Sequence, residues 1–155
     1  LATVRSESDR VVAQRAGSHH VLVTDGPSAQ GALDRMRAYA PDGVDHIVEV
    51  AFHANIAVDE QILRLGGSIA TYATGDPTPA IPFWPLVFKN VAVFFLGSDD
   101  FPAAAKAEAA RRLNEALELG WPGFDIQARF PLEKIALAHE TVERAANAGR
   151  VVLNL

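Results

Sequence analysis

Apolar and polar positions change period repeatedly along this chain, and the alternation gives the fold class before any single residue is considered. Residues 1–5 (LATVR) are short, apolar and partly β-branched, as at the end of a buried strand. Asp9 to Ala16 carries Val11, Val12 and Ala16 at helical spacing, and Gly17 follows as a C-cap. A short strand is predicted over His20 to Val23. The next helix covers Ser28 to Tyr39, with Ala32, Leu33, Met36 and Tyr39 on one face and Pro41 beyond its end. Asp45 to Val50 (DHIVEV) reads as a strand. Asn55 is the expected cap of a helix running to Leu65, with Ile56, Ile62, Leu63 and Leu65 buried and Gly66-Gly67 ending it. Ser68 to Ala73 is the next strand, followed by a loop with Pro77, Pro79, Pro82 and Pro85. Val91 to Leu96 (VAVFFL) is a continuous apolar strand, and Pro102 to Leu119 a long alanine-rich helix.

Strands and helices in strict alternation, with near-continuous apolar strands, imply a mostly parallel sheet covered on both faces. The expected fold is therefore α/β, a doubly wound, Rossmann-like sheet. The grammar changes at Gly120-Trp121-Pro122-Gly123, a turn cluster and a plausible boundary. Beyond it come a strand (Asp125 to Phe130), a helix opened by Pro131-Leu132-Glu133 and a last strand, Val151 to Leu155. This small α+β tail is too short to fold alone and must pack on something. The expected division is a partial dinucleotide-binding domain over 1–119 and a carboxy-terminal segment over 120–155.

Composition narrows the function. With 155 residues and a formal net charge of −5, and without any lysine/arginine cluster, the chain lacks the basic stripe of a nucleic-acid binder. The longest apolar run, Val91 to Leu96, is far below the roughly 20 residues that span a bilayer, so no membrane partner is expected. There is no cysteine, which excludes a CxxC redox motif, a thiolate nucleophile and a cysteine zinc site within these residues. Cytoplasmic placement is the default.

In open α/β sheets, ligands bind beyond the carboxyl ends of the strands. That rule selects Arg5-Ser6, Thr24-Asp25, Ala51-Phe52-His53, Tyr72-Ala73-Thr74-Gly75 and Leu96-Gly97-Ser98. If residues 1–5 are the second strand of a Rossmann unit, its end meets the adenosine ribose of a dinucleotide. Arg5, Ser6 and Arg10 suit a 2′-phosphate, whereas Glu7 and Asp9 point the other way. The competing reading is a solvated loop with a serine or aspartate N-cap. His19-His20 makes a poor metal pair, because neighbouring strand residues face opposite ways and no third ligand lies at useful spacing. No metal site is expected. No serine-histidine-acid set or catalytic carboxylate pair emerges, so no catalytic residue is assigned.

Three segments carry a family resemblance: Gly43 to Val50 with Leu65-Gly66-Gly67-Ser68-Ile69 after the helix; the apolar strand after Lys89-Asn90; and Phe130 to Glu140 (FPLEKIALAHE) with Gly149-Arg150-Val151-Val152-Leu153. Their order resembles the carboxy-terminal part of medium-chain dehydrogenase/reductases, especially the zinc-independent NADPH:quinone oxidoreductase branch. The resemblance implies an NADPH-dependent enzyme reducing quinones or related conjugated carbonyls by direct hydride transfer. By position it assigns Arg5, Ser6 and Arg10 to the 2′-phosphate and Val50, Ala51 and Phe52 to the strand end beneath the cofactor. Tyr72 and Thr74 fall to the segment flanking the nicotinamide, and Leu96-Gly97 to the next strand end. His53 stands where the family often has glycine. A homodimer through the 91–96 strand is implied. The first Rossmann strand, its glycine-rich loop and the catalytic domain would lie upstream, so the chain reads as a fragment that binds NADPH weakly or not at all and is inactive alone. A different class, a non-catalytic Rossmann-like module that oligomerises or binds a partner through its open sheet edge, is the alternative.

Overall fold

The computed structural model describes residues 1–24, 29–144 and 149–155, without the side chains of 29 and 30. Its elements are β1 (Ala2–Val4), α1 (Glu7–Arg15), β2 (Val21–Val23), α2 (Ala29–Tyr39), β3 (Val44–Glu49), α3 (Phe52–Ile62) and β4 (Leu63–Thr71), then α4 (Phe83–Phe88), β5 (Ala92–Phe95), α5 (Ala103–Glu118), β6 (Ile126–Pro131), α6 (Ile135–Glu143) and β7 (Arg150–Asn154). Every strand pair is parallel: β1 with β2, β3 with β4, β4 with β5, and β6 with β7. The chain is thus an α/β protein of the Rossmann-like type. Asp25 and Ser28, two positions singled out in the sequence, lie outside the described residues.

Two details differ from the single sheet covered on both faces. Among the described residues the strands form three sets, β1-β2, β3-β4-β5 and β6-β7. Among the described residues the core packs on one face of the three-stranded set. Ile47, Ile69 and Val93 lie level across it, and Ile69 is completely buried. Phe52 and Ile56 of α3, Leu63 and Leu86 of α4 pack on this row. The next row, Val48, Ala70 and Phe94, faces the other way because strand side chains alternate; Val48 is 66% exposed and Phe94 51%. An apolar run therefore marks a strand here without marking two covered faces.

The chain divides into two compact units. Leu1 with Thr24–Ala107 forms one, built around β3-β4-β5; Ala2–Val23 with Glu108–Leu155 forms the other, holding β1-β2 and β6-β7. In the second unit Arg15 makes a bidentate ion pair with Asp125, joining α1 to the segment before β6. Part of α5 also belongs to this unit, and there Glu108 accepts hydrogen bonds from Arg111 and Arg112, which hold its carboxyl down at about 2.

Local corrections have clear causes. α3 begins at Phe52 with Ala51 as its N-cap, so Asn55 lies inside the helix and its side-chain amide donates to Glu49. The helix stops at Ile62, three residues short of the expected end. Lys89 explains the stop: its ammonium reaches the Glu60 and Leu63 carbonyls and pairs with the Glu60 carboxylate at 3.2 Å, satisfying helix-end acceptors. Leu63 and Leu65 belong to β4, and Leu65 is exposed. The Gly66-Gly67 pair lies within that strand, where pairing jumps from Val44↔Leu63 to His46↔Ser68. Gly43 is required at the start of β3: its φ is +84°, and a Cβ there would lie 2.6 Å from the Ile62 carbonyl oxygen. The proline-dense loop contains α4, unanticipated because Pro82 and Pro85 suggest irregular chain; Pro85 sits in the first turn, where a missing N–H costs nothing.

At the end of β3 a carboxyl pair is buried. Glu49 is 6% exposed and Asp59 7%. Glu49 accepts from the Ala51 N–H and from both contacts of the Asn55 amide, at 3.0 and 3.1 Å. Asp59 shares a hydrogen bond with Glu49, and its Oδ2 has no partner. Burial first, and the Glu49 charge second, raise the Asp59 carboxyl from 3.8 to about 8. It is therefore a protonated acid at neutral pH. Its folded value lies above its unfolded one, so the native state holds a proton that the unfolded chain releases. The stability this gives is complete below 3.8 and is lost as pH rises toward about 8. Asp59→Asn, which keeps a donor for Glu49 and cannot ionise, should flatten urea midpoints across that range and add about 1–3 kcal/mol near pH 8. A variant with the same pH slope as the parent would show that the pair does not share a proton.

Candidate functional site

The carboxyl ends of β3, β4 and β5 lie side by side, because Glu49, Thr71 and Phe95 are register partners. Seven of the expected residues follow them. Val50 is 54% exposed, and Ala51 is the N-cap of α3, its N–H held by Glu49. Phe52 opens the helix, but its ring is 2% exposed and packs edge-on to Phe95 at 5.5 Å. Any contact it makes with a ligand would run through its backbone. Tyr72 is 58% exposed, and Thr74 forms a tight turn in which its hydroxyl donates to the Asp76 carbonyl at 2.9 Å. Leu96 is bonded back to β4, its N–H donating to the Thr71 carbonyl at 2.9 Å. Gly97 stands in open space, with no atom within 4 Å of where a Cβ would be.

Two hydrogen bonds lash the β4 end to the first turn of α3. The Phe52 N–H donates to the Ala73 carbonyl at 3.2 Å, and the Gly75 N–H donates to His53 Nδ1 at 2.9 Å. The result is a shelf of backbone and small side chains across three strand ends. It holds no nucleophile, no base within reach of one, and no paired carboxylates open to solvent.

The three residues expected at a 2′-phosphate belong to the other unit. Arg5 lies between β1 and α1, exposed and with no hydrogen-bond or ion-pair partner among the described residues. Ser6 is the N-cap of α1: its hydroxyl accepts from the Asp9 N–H at 3.2 Å and donates to the Asp9 carboxylate at 2.7 Å. Arg10 grips Glu7 through two bonds of 2.7 and 3.2 Å and donates to the Val21 carbonyl. The solvated-loop reading is thus realised in the cap, while Arg5 alone is unengaged. Two concavities in this unit, of about 50 and 180 Å³, are lined around Val12, Phe124 and Asp125 and include none of the expected residues.

Glu49 and Asp59 were not singled out in the sequence, and Asn55 was read there only as a helix cap, although a signal for Glu49 was present. In DHIVEV strand alternation puts Glu49 on the same side as Ile47, an inward place for a charge. His53 is among the residues the strand-end rule selects, but its partner, Gly75, is 22 positions away and local spacing does not reveal it.

A family profile described as zinc-binding dehydrogenase matches residues 16–153. The described residues do not fit a zinc site: the chain has no cysteine, and no three histidine, aspartate or glutamate side chains gather to hold a metal. Among described helices none is long and apolar enough to cross a membrane. Quinone oxidoreductases from Lama guanicoe and Homo sapiens are 27% and 25% identical to the whole of this chain, which spans 46% of each. Among solved structures, a mycobacterial protein complexed with NADPH superposes with a TM-score of 0.78 at 20% identity, over 99% of this chain and 48% of the other. A 2-haloacrylate reductase superposes with a TM-score of 0.81 at 19% identity, over 96% and 47%. At those identities the structural likeness shows the fold, and the profile shows the family: the chain belongs to the zinc-binding dehydrogenases of the medium-chain dehydrogenase/reductase superfamily.

Proposed function

We propose that this chain is the cofactor-binding part of a longer NADPH-dependent oxidoreductase that reduces quinones or related conjugated carbonyls. The observation that carries the reading is the shelf at the ends of β3, β4 and β5, where Val50, Ala51, Phe52, Tyr72, Thr74, Leu96 and Gly97 come together. It is supported by the quinone oxidoreductases, which align along the entire chain, and by the chain's spanning about half their length. When bound, NADPH supplies the hydride that passes directly to the substrate carbonyl system. The protein's share is placement. The backbone at Val50 to Phe52, the side chains of Tyr72 and Thr74 and the open Gly97 would hold the dinucleotide at the strand ends. Arg5 is the ready contact for the 2′-phosphate; Ser6 and Arg10 reach it only by sharing their donors with Asp9 and Glu7.

In a six-stranded dinucleotide-binding sheet the first strand lies between the second and the fourth and carries the pyrophosphate-binding glycine loop. In this reading residues 120–155 pack on the catalytic domain of the longer protein, and the chain alone neither holds NADPH tightly nor turns over. Isothermal titration of the chain with NADPH should therefore show no binding at micromolar concentration, while a longer form with the upstream glycine loop should oxidise NADPH in the presence of a benzoquinone. Micromolar binding by the chain itself would reject the need for a glycine loop, and a longer form inert toward quinones and enones would reject the activity.

The same proposal includes a homodimer through β5. That strand is the last of its sheet, with Phe94 and Phe95 exposed at 51% and 71%. Light scattering should give a dimer mass for the longer form, reduced to a monomer by Phe94→Lys. A tight oligomer of the chain that ignores both NADPH and this substitution would instead favour a non-catalytic assembly module.

A further inference from the structure

The ring of His53 is the one histidine side chain lying against the shelf. It projects from the second residue of α3, and its Nδ1 accepts the Gly75 N–H at 2.9 Å. An accepting Nδ1 carries no proton, so this contact selects the neutral ring with its hydrogen on Nε2. An imidazolium would set two N–H groups against each other. The Nε2–H has no protein partner among the described residues. The approach is close. A Cβ built on Gly75 would lie 2.7 Å from Cε1 of the ring and 3.1 Å from Nε2, so the ring sits where any larger residue at 75 would put its side chain. Beside this contact, the Ala73 carbonyl is held by the Phe52 N–H, and Thr74 is closed on Asp76 by its hydroxyl. Residues 73–76 are thus tied to the first turn of α3 by the Phe52 backbone N–H and the His53 imidazole.

From this geometry we infer that His53 is a positioning residue: as the neutral Nε2–H tautomer it holds the Gly75 amide, and through it sets the Tyr72–Asp76 segment in the conformation that receives a dinucleotide. The inference rests on the function proposed above, since it is that reading which puts a cofactor against Tyr72 and Thr74. His53 acts through Gly75 and the segment that follows β4. Without the ring, the Gly75 N–H returns to water and the segment is free to sample other turns, an ordering cost that is then met at the moment of binding.

Two substitutions separate this role from general stability. In His53→Asn the side-chain Oδ1 falls near the place of Nδ1 and can accept the Gly75 N–H; His53→Ala has no acceptor. Residue 53 is exposed in the first turn of α3, a position that tolerates both. Nitrogen NMR of the chain should show Nδ1 of His53 unprotonated and Nε2 protonated at neutral pH. Exchange of the Gly75 amide should be about tenfold faster in His53→Ala and return close to the parent rate in His53→Asn. NADPH, titrated to millimolar concentration and followed by amide shifts, should bind roughly five- to tenfold more weakly to His53→Ala and recover in His53→Asn. A protonated Nδ1, or a Gly75 amide indifferent to His53→Ala, overturns the hydrogen bond itself. An NADPH affinity equal in all three proteins, even though the Gly75 amide of the alanine variant exchanges faster, overturns the positioning role. NADPH that shifts no amide in 50–52 or 72–75, even in the longer form that carries the glycine loop, overturns the proposed function and the positioning role together, leaving the bond to Gly75 as a structural clasp.

Discussion

The side-by-side register of β3, β4 and β5 is the constraint from which the rest of the first unit follows. Ile47, Ile69 and Val93 form one level row, and burying that row under Phe52, Ile56 and Leu86 fixes which strand face is inward. A slip of one residue in β4 would turn Ile69 to the open face and bring Ala70 in, emptying the centre of the core. With the row fixed, the next row on the same face, Glu49, Thr71 and Phe95, falls at the strand ends, and the seven shelf residues follow directly. The register thus does two jobs: it fills a core, and it levels three strand ends.

What happens at the end of β3 is less usual. An inward position there is occupied by a carboxylate, and its burial is made tolerable by donors from the Ala51 backbone and the Asn55 side chain. Asp59 joins as a protonated acid, so the pair carries one negative charge instead of two. The same contacts fix the turn from strand to helix, since Ala51 and Asn55 stand on either side of the α3 start. Glu49 therefore links the electrostatics of the interior to the shape of the shelf. His53, two residues after that turn, extends the link to the β4 end.

Much of this was legible from the chain itself. Element type follows from period, and three segments together, at Gly43 to Ile69, after Lys89-Asn90 and at Phe130 to Leu153, supplied the family that the match over 16–153 shows. What could not be read shares a physical origin in long-range contact. Lys89 ends α3 from 26 residues away by binding the Leu63 carbonyl, so helical periodicity through Leu65 overran the real boundary. α4 hid among prolines because a proline in a first turn looks, in sequence, like one in a loop. Val48 and Phe94 are apolar yet exposed, since hydrophobicity reports what a strand is able to bury. The occupancy of Ser6 and Arg10 by Asp9 and Glu7 was visible as mixed charge, and only the geometry shows each cation or hydroxyl already engaged.

The central claim is that the ends of β3, β4 and β5 receive a nicotinamide dinucleotide. Its most direct test is a competition on the isotopically labelled chain, in which NADPH is titrated and then displaced by excess adenosine 2′,5′-diphosphate, with all backbone amides followed together. The account predicts that NADPH moves Val50 to Phe52, Tyr72 to Gly75 and Leu96-Gly97 as one group with a shared saturation curve. The half-dinucleotide, which has no nicotinamide, should compete for Arg5 and leave Tyr72 and Thr74 at their free positions. Shifts confined to the Val12, Phe124 and Asp125 concavities, or spread without saturation over the surface, would contradict it.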